Sequence, residues 1–138
     1  MKEEVTKQAV SINYDHNGNA NGVKVQTLDE CFVIALCDLD EGKNDFNHNS
    51  AMKRLKELRL KTFNKKQAAI LCAYLDEVNE KLKEAGGVPL DNDIYVTSSS
   101  AEFNCDLSWY FYGLSGCLYT YDCSPRFSKC RPIENIKN

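Results

Sequence analysis

The chain has 138 residues, enough for one domain and too few for a multi-domain machine. Hydrophobic residues make up 43% and charged residues 27%, which excludes disorder and collagen-like repeats, and a core of this size needs no disulfide or metal as scaffolding. Seventeen basic against 20 acidic residues give a net charge of −3, with no Lys or Arg between Lys83 and Arg126; without clustered cations there, no nucleic-acid partner is expected.

Residues 1–22 are polar, and the cluster NYDHNGNANG reads as a turn or arm, placed on the domain edge or on another subunit. The domain proper is therefore expected over residues 23–138. Val23 to Gln26 alternates like a short strand, and Cys31 to Leu36 is an apolar run typical of a central strand. DLDEGKNDFNHNS (residues 38–50) reads as a polar loop, with Ser50 capping a short basic helix over residues 51–58. Asn64 followed by Gln67 resembles a capping box. The stripe Ile70, Leu71, Tyr74, Leu75, Val78 and Leu82 then predicts one long helix ending at Gly86-Gly87. Beyond it the period falls to two, predicting strands over residues 93–98, 108–112, 117–121 and 129–133. Strands, two helices and then antiparallel strands make an α+β domain.

No apolar run reaches the roughly 20 residues of a membrane span. The segment MKEEVTKQAV has no apolar stretch, so no cleavable secretion signal is expected. Seven cysteines without an export signal read as reduced thiols in a protein folded in the cytoplasm.

For catalysis the pattern offers little. The cysteine spacings lack the C-x-x-C knuckle of tetrahedral zinc, and the acidic loop has Gly42 in the wrong place for an EF-hand. His16 and His48 lie in Asn-rich loops, far in sequence from any nucleophile. There is no glycine-rich phosphate loop. Neither metal, cofactor nor enzymatic activity is expected.

Five of the seven tyrosines fall between Tyr95 and Arg126. Strand alternation puts Trp109 and Phe111 on one side, with Leu118, and Tyr110 and Tyr112 on the other, with Tyr119 and Tyr121. Rigid aromatics among short polar side chains are the composition of a paratope-like contact surface. The same four tyrosines also suit a cross-strand ladder that only stabilises the sheet.

Five motifs in order carry a resemblance: Arg59-Leu60-Lys61-Thr62, YLDEVNEKLKEAGGVPL, YVTSSS, SWYFYG and KCRPI. Together they resemble the C-type-lectin-fold domains of surface proteins from gut bacteria and their phages, over about residues 23–133. Lys61, Val96 and Cys130 depart from that family's Pro, Trp and Val. The resemblance implies two helices packed on a twisted antiparallel sheet, with N- and C-terminal strands close together. Relatives include variable proteins of diversity-generating retroelements and domains of pili, fimbriae and phage fibres.

The resemblance also implies a ligand-display face, placed here at Asn104, Asp106, Tyr110, Tyr112, Tyr119, Tyr121, Asp122 and Arg126. The calcium-dependent sugar motifs of animal C-type lectins are missing, so that activity is not implied. A non-enzymatic receptor-binding or adhesion component is therefore expected, carried by a virion (fibre, tail or capsid decoration) or a cell-surface appendage. Its partners would be a protein or glycan on a host surface, or neighbouring virion proteins, and it would be a homo-oligomer. A second reading makes it a structural subunit whose tyrosine face packs on itself or a neighbour. A third, a formylglycine-generating type of enzyme, would need Cys117 and Cys123 as a pair.

Overall fold

The structure, a computed structural model, describes residues 9–90, 93–101 and 106–136. Its elements run β1 (Val10–Tyr14), β2 (Ala20–Gln26), β3 (Cys31–Ala35), α1 (His48–Leu58), β4 (Lys61–Thr62), α2 (Lys65–Ala73), α3 (Leu75–Glu84), β5 (Ile94–Ser100), β6 (Leu107–Tyr112), β7 (Cys117–Asp122) and β8 (Pro132–Asn135). The chain is α+β, with three helices and two antiparallel sheets. One sheet has the order β1-β2-β3-β8-β4 and the other β5-β6-β7.

The polar N-terminal segment is not an arm from residue 10 onward. Val10, Ser11, Ile12 and Asn13 pair with Val25, Lys24, Val23 and Gly22, and Val10 is buried. The connecting turn is held by Asp15, whose Oδ1 accepts the amides of Asn17 (2.9 Å) and Asn19 (3.0 Å). Gly18 there takes a φ of 83°, which a side chain would resist. Val10 and Ile12 alternate as a strand should, but over too few residues to stand out among Asn and Gly.

The helices show two further differences. α1 starts three residues earlier than expected. Its cap is Asn47, whose side chain accepts the Ser50 amide at 2.8 Å while Ser50 Oγ accepts the Asn47 amide at 2.9 Å. Ser50 is thus the far half of a capping box and not the cap itself. At the next helix the Asn64–Gln67 box forms as expected, at 2.8 and 3.0 Å. The expected single long helix is broken at Tyr74, which sits at φ −118° and ψ 20°. α2 packs on β5 and β7, whereas α3 packs on β1 and β2. One straight rod cannot serve both sheets, so the bend lies where the stripe passes from one to the other. α3 closes with two reverse bonds, Gly87 N–H to Leu82 O (2.7 Å) and Gly86 N–H to Lys83 O (3.1 Å), and Gly86 has a φ of 82°.

Two cores result. The first joins Val23, Val25, Phe32 and Ile34 to Leu71, Val78 and Leu82, and to Tyr95 and Phe111 of the small sheet. The second gathers Phe46, Ala51 and Leu55 around Val96, Tyr110 and Cys130. The small sheet therefore has a core on each face. The last expected strand moves three residues later: Ser128 and Lys129 make isolated bridges to Phe46 and Tyr95, and Pro132 to Asn135 forms β8.

Between the sheets lies Arg131, fully buried. Its Nε donates to Asp38 Oδ1 (2.7 Å), Nη1 to Ala35 O (2.9 Å) and Nη2 to Val88 O (2.7 Å). Its own carbonyl accepts Thr62 Oγ1 at 2.7 Å. The other carboxylate oxygen of Asp38 lies 3.6 Å from Lys129 Nζ, which also meets Asp93 at 3.0 Å. Burial opposes the Lys129 charge, but bonds to Asp93 and Asp38 outweigh it and raise its pKa. Burial pushes the Tyr95 hydroxyl pKa up, and the Asp38 charge adds to it.

Removing one partner of a buried pair leaves the other charge unpaired, which costs about 3–5 kcal/mol. Asp38→Ala is expected to lower the free energy of urea unfolding by that amount. A loss below about 1 kcal/mol would show that the pair does not hold the fold.

Candidate functional site

β6 and β7 are in direct register, with Tyr110 opposite Tyr119, Ser108 opposite Tyr121 and Tyr112 opposite Cys117. The four tyrosines share a face, as alternation requires. Tyr110 and Tyr119 stack with ring centroids 6.3 Å apart, and Tyr112 meets Tyr119 edge-on at 6.4 Å. Phe127, from the segment after β7, joins them at 5.6 Å from Tyr110 and 5.4 Å from Tyr121. Phe127 is the residue that sequence reasoning missed. Nothing in the strand pattern says that the chain folds back over β7.

Exposure along this cluster is graded. Tyr110 is 0% exposed and Tyr121 is 47% exposed, with Tyr112 and Tyr119 between them. The expectation that Tyr110 is a surface residue is thus corrected. α1 and Phe46 cover its face of the sheet with the second core, so alternation found the right face but not what lies on it. Trp109, expected inside, is only half-buried, and Lys65 Nζ sits 4.2 Å from its ring centroid. Burial, with Cys123, Tyr119 and Asp122 nearby, pushes the Tyr110 hydroxyl pKa up to about 12. That of Tyr119 is raised by burial and by Tyr112 and Tyr121.

The polar site residues separate. Asp122 is exposed and turns the chain by accepting the Ser124 amide at 2.9 Å. Its carbonyl accepts the Tyr110 hydroxyl at 3.4 Å. Asp106 is exposed, with its carbonyl accepting the Cys123 amide at 3.0 Å. Arg126 is exposed beside Phe127. Asn104 lies outside the described residues.

The acid–base groups are arranged for structure. Cys117 opens β7 and Cys123 follows its end, so the strand holds the two at its opposite ends. That is no catalytic pair. Burial raises the thiol pKa of Cys72, with Cys117 adding, and pushes that of Cys130 up to about 12; both shifts disfavour a thiolate nucleophile. In the acidic loop, Asp38 serves Arg131 and Asp40 serves Arg54. Among the described residues no three His, Cys, Asp or Glu side chains gather as metal ligands. No described helix is long and apolar enough to cross a membrane.

No protein-family model matches this chain, and no curated protein or solved structure matches it either.

The graded burial predicts a graded response. Tyr110→Ala should cost about 3–5 kcal/mol of stability, as for a core aromatic. Trp109→Ala should cost less, and Tyr121→Ala should stay within about 0.5 kcal/mol. Denaturant unfolding of the three variants measures this; an equal loss at Tyr121 and Tyr110 would contradict the burial order.

His48 supplies a pH test. It is buried, and its Nδ1 has no partner among the described residues. Burial lowers its pKa below the ordinary 6.5, with Thr97 partly opposing. The unfolded chain therefore takes up the proton more readily, and the stability His48 confers is present above about pH 6.5 and lost as pH falls below it. Urea midpoints at about pH 7.5 and about pH 5.5 should separate in the native chain, and by less in His48→Gln.

Proposed function

We propose that this chain is a non-enzymatic ligand-binding domain of C-type-lectin-like fold, displayed on a phage virion or bacterial surface appendage. Its contact surface is the exposed rim of the aromatic cluster: Tyr112, Tyr119 and Tyr121, flanked by Asp122 and Arg126. The observation that carries this reading is the exposure gradient. A row of neighbouring rings runs from fully buried Tyr110 to half-exposed Tyr121, so the outer rings pack on rings anchored in the core. Rigid aromatics lose little entropy on contact and are the residues that concentrate binding energy at interfaces. The fold assignment draws on the five ordered motifs and on the pairing of β3 with β8, which joins early and late strands in one sheet. The placement of Cys117 and Cys123 at opposite ends of β7 leaves the cysteine-pair enzyme without support.

One observation favours the assembly reading. β7 is an edge strand, and its residues 117–121 contain no Lys or Pro to discourage pairing with a second copy.

The test measures binding of purified protein to intact bacterial cells, alongside its mass in solution. For a display surface, Tyr121→Ala should weaken cell binding by about thirty-fold or more, as at a hot spot near 2 kcal/mol, with mass and Tm unchanged; Tyr119→Ala should weaken it as much with mass unchanged, at some cost in Tm because Tyr119 packs on the second core. Dissociation of an oligomer by the same changes would favour assembly. Neither effect would remove both readings.

A further inference from the structure

The two sheets end in four edge strands, β1, β4, β5 and β7. An unpaired edge is a row of free amides and carbonyls that invites a second chain, and proteins blunt it by recurring devices. Three of these edges carry one. β1 is shifted by a bulge between Asn13 and Tyr14. β4 is only two residues long and begins with exposed Lys61. β5 is covered from outside: Val96 N–H bonds Lys129 O at 3.0 Å, Lys129 N–H bonds Ile94 O at 2.8 Å, and Ser98 N–H bonds Phe63 O at 3.0 Å. β7 has no such device. It runs six residues against β6 without a register shift, and CLYTYD holds neither Lys nor Pro.

The outward backbone groups of β7 follow from two bonds. Gly113 N–H bonds Asp93 O at 2.8 Å, and Cys123 N–H bonds Asp106 O at 3.0 Å. Ladder alternation then aims the odd residues of β7 at β6 and the even ones, Leu118, Thr120 and Asp122, at the free edge. Among the described residues the amides of these three bond nothing. Of their carbonyls only that of Asp122 has a partner, the Tyr110 hydroxyl at 3.4 Å, and its second lone pair stays open.

We infer that β7 pairs antiparallel with β7 of a second copy, Thr120 of one chain opposite Thr120 of the other. A two-fold axis keeps both inner faces aligned only when residues of like parity oppose each other. In this register Leu118 meets Asp122 of the second copy, and every outward amide and carbonyl of both strands finds a partner. A slide of two residues in either direction leaves part of the edge unpaired. No like charges meet. Tyr119 stands opposite Tyr121 of the second copy, an aromatic cross-strand pair that stabilises a sheet. The inference rests on the assembly reading above, to which it gives a surface and a register.

The register also brings exposed Cys117 opposite half-buried Cys123 of the second copy. Pairs of this non-hydrogen-bonded kind hold their Cα atoms about 4.5 Å apart, within the roughly 4.4–6.8 Å that a disulfide spans. The pairing can therefore be trapped chemically.

The test uses the full chain, by sedimentation without oxidant and on a non-reducing gel after oxidised glutathione. That reagent takes the hydrogens of two thiols per bridge and leaves as two reduced glutathiones. The native chain should sediment as a dimer and become disulfide-linked. Cys117→Ser or Cys123→Ser alone should give no linked dimer, whereas an equal mixture of the two should, because each bridge joins Cys117 of one copy to Cys123 of the other. Thr120→Pro removes an amide that β6 does not use. It should raise the dimer Kd about thirty-fold or more, since the symmetric centre loses both of its bonds. If Thr120→Pro does not fold, the thiol mixture decides alone. A monomer at every concentration overturns this inference together with the assembly reading, and leaves the edge to a strand of another protein. A dimer whose mixed variants do not link overturns this inference only, and leaves assembly to another surface.

Discussion

Burying a guanidinium is among the costlier things a small domain can do, and the position of Arg131 shows how that cost is offset. Each of its three nitrogens has an acceptor within 2.9 Å, on Asp38, Ala35 and Val88. Those acceptors belong to the exit of β3 and to the segment after α3, while Thr62 of β4 binds the Arg131 carbonyl. Separate parts of the chain are thus oriented by one planar group. Apolar packing gives attraction without direction, whereas a forked donor accepts its partners in one plane only. The residues just before Arg131 inherit that orientation. Lys129 pairs with β5, Ser128 with Phe46, and Phe127 is laid against Tyr110 and Tyr121. The aromatic surface depends on where this segment runs.

The second constraint is the placement of a three-stranded sheet between two cores. Tyr95 and Phe111 point to one, and Val96 and Tyr110 to the other. A sheet this small would be marginal alone. Covered on both faces, it becomes a support whose outer strand packs on the cores through Leu118 and Tyr119 and leaves Tyr121 at the rim. The proposed contact surface is then placed at the rim, while stability resides in the packed rings behind it.

Much of the architecture was legible in the sequence because local rules and tertiary demands agree there. The Asn64–Gln67 box, the stop at Gly86-Gly87 and the tyrosine alternation all appear where the residue pattern puts them. What was not legible depends on partners distant in the chain. Arg131 reads as a surface charge until Asp38, 93 residues earlier, is placed beside it. Tyr110 reads as exposed until α1 is laid over its strand. The break at Tyr74 has no Pro or Gly to announce it, since it arises from two sheets competing for one helix. Of the site, the rings themselves were found. Phe127 was not, because its place is set by the path of a segment without regular structure.

The sheet order has one more implication, for the moment of synthesis. β8 sits between β3 and β4, although it is the last of the described strands to be made. Until residue 132 has emerged, β3 presents an open edge of apolar residues and Asp38 waits without its counter-ion. Pairings across such long separations form slowly, and unsatisfied strand edges are where nascent chains stick to one another. The ribosome therefore holds a chain whose large sheet cannot close, whatever the state of its helices. The open edge and the unpaired carboxylate are covered together, by the one segment that carries Arg131 and β8.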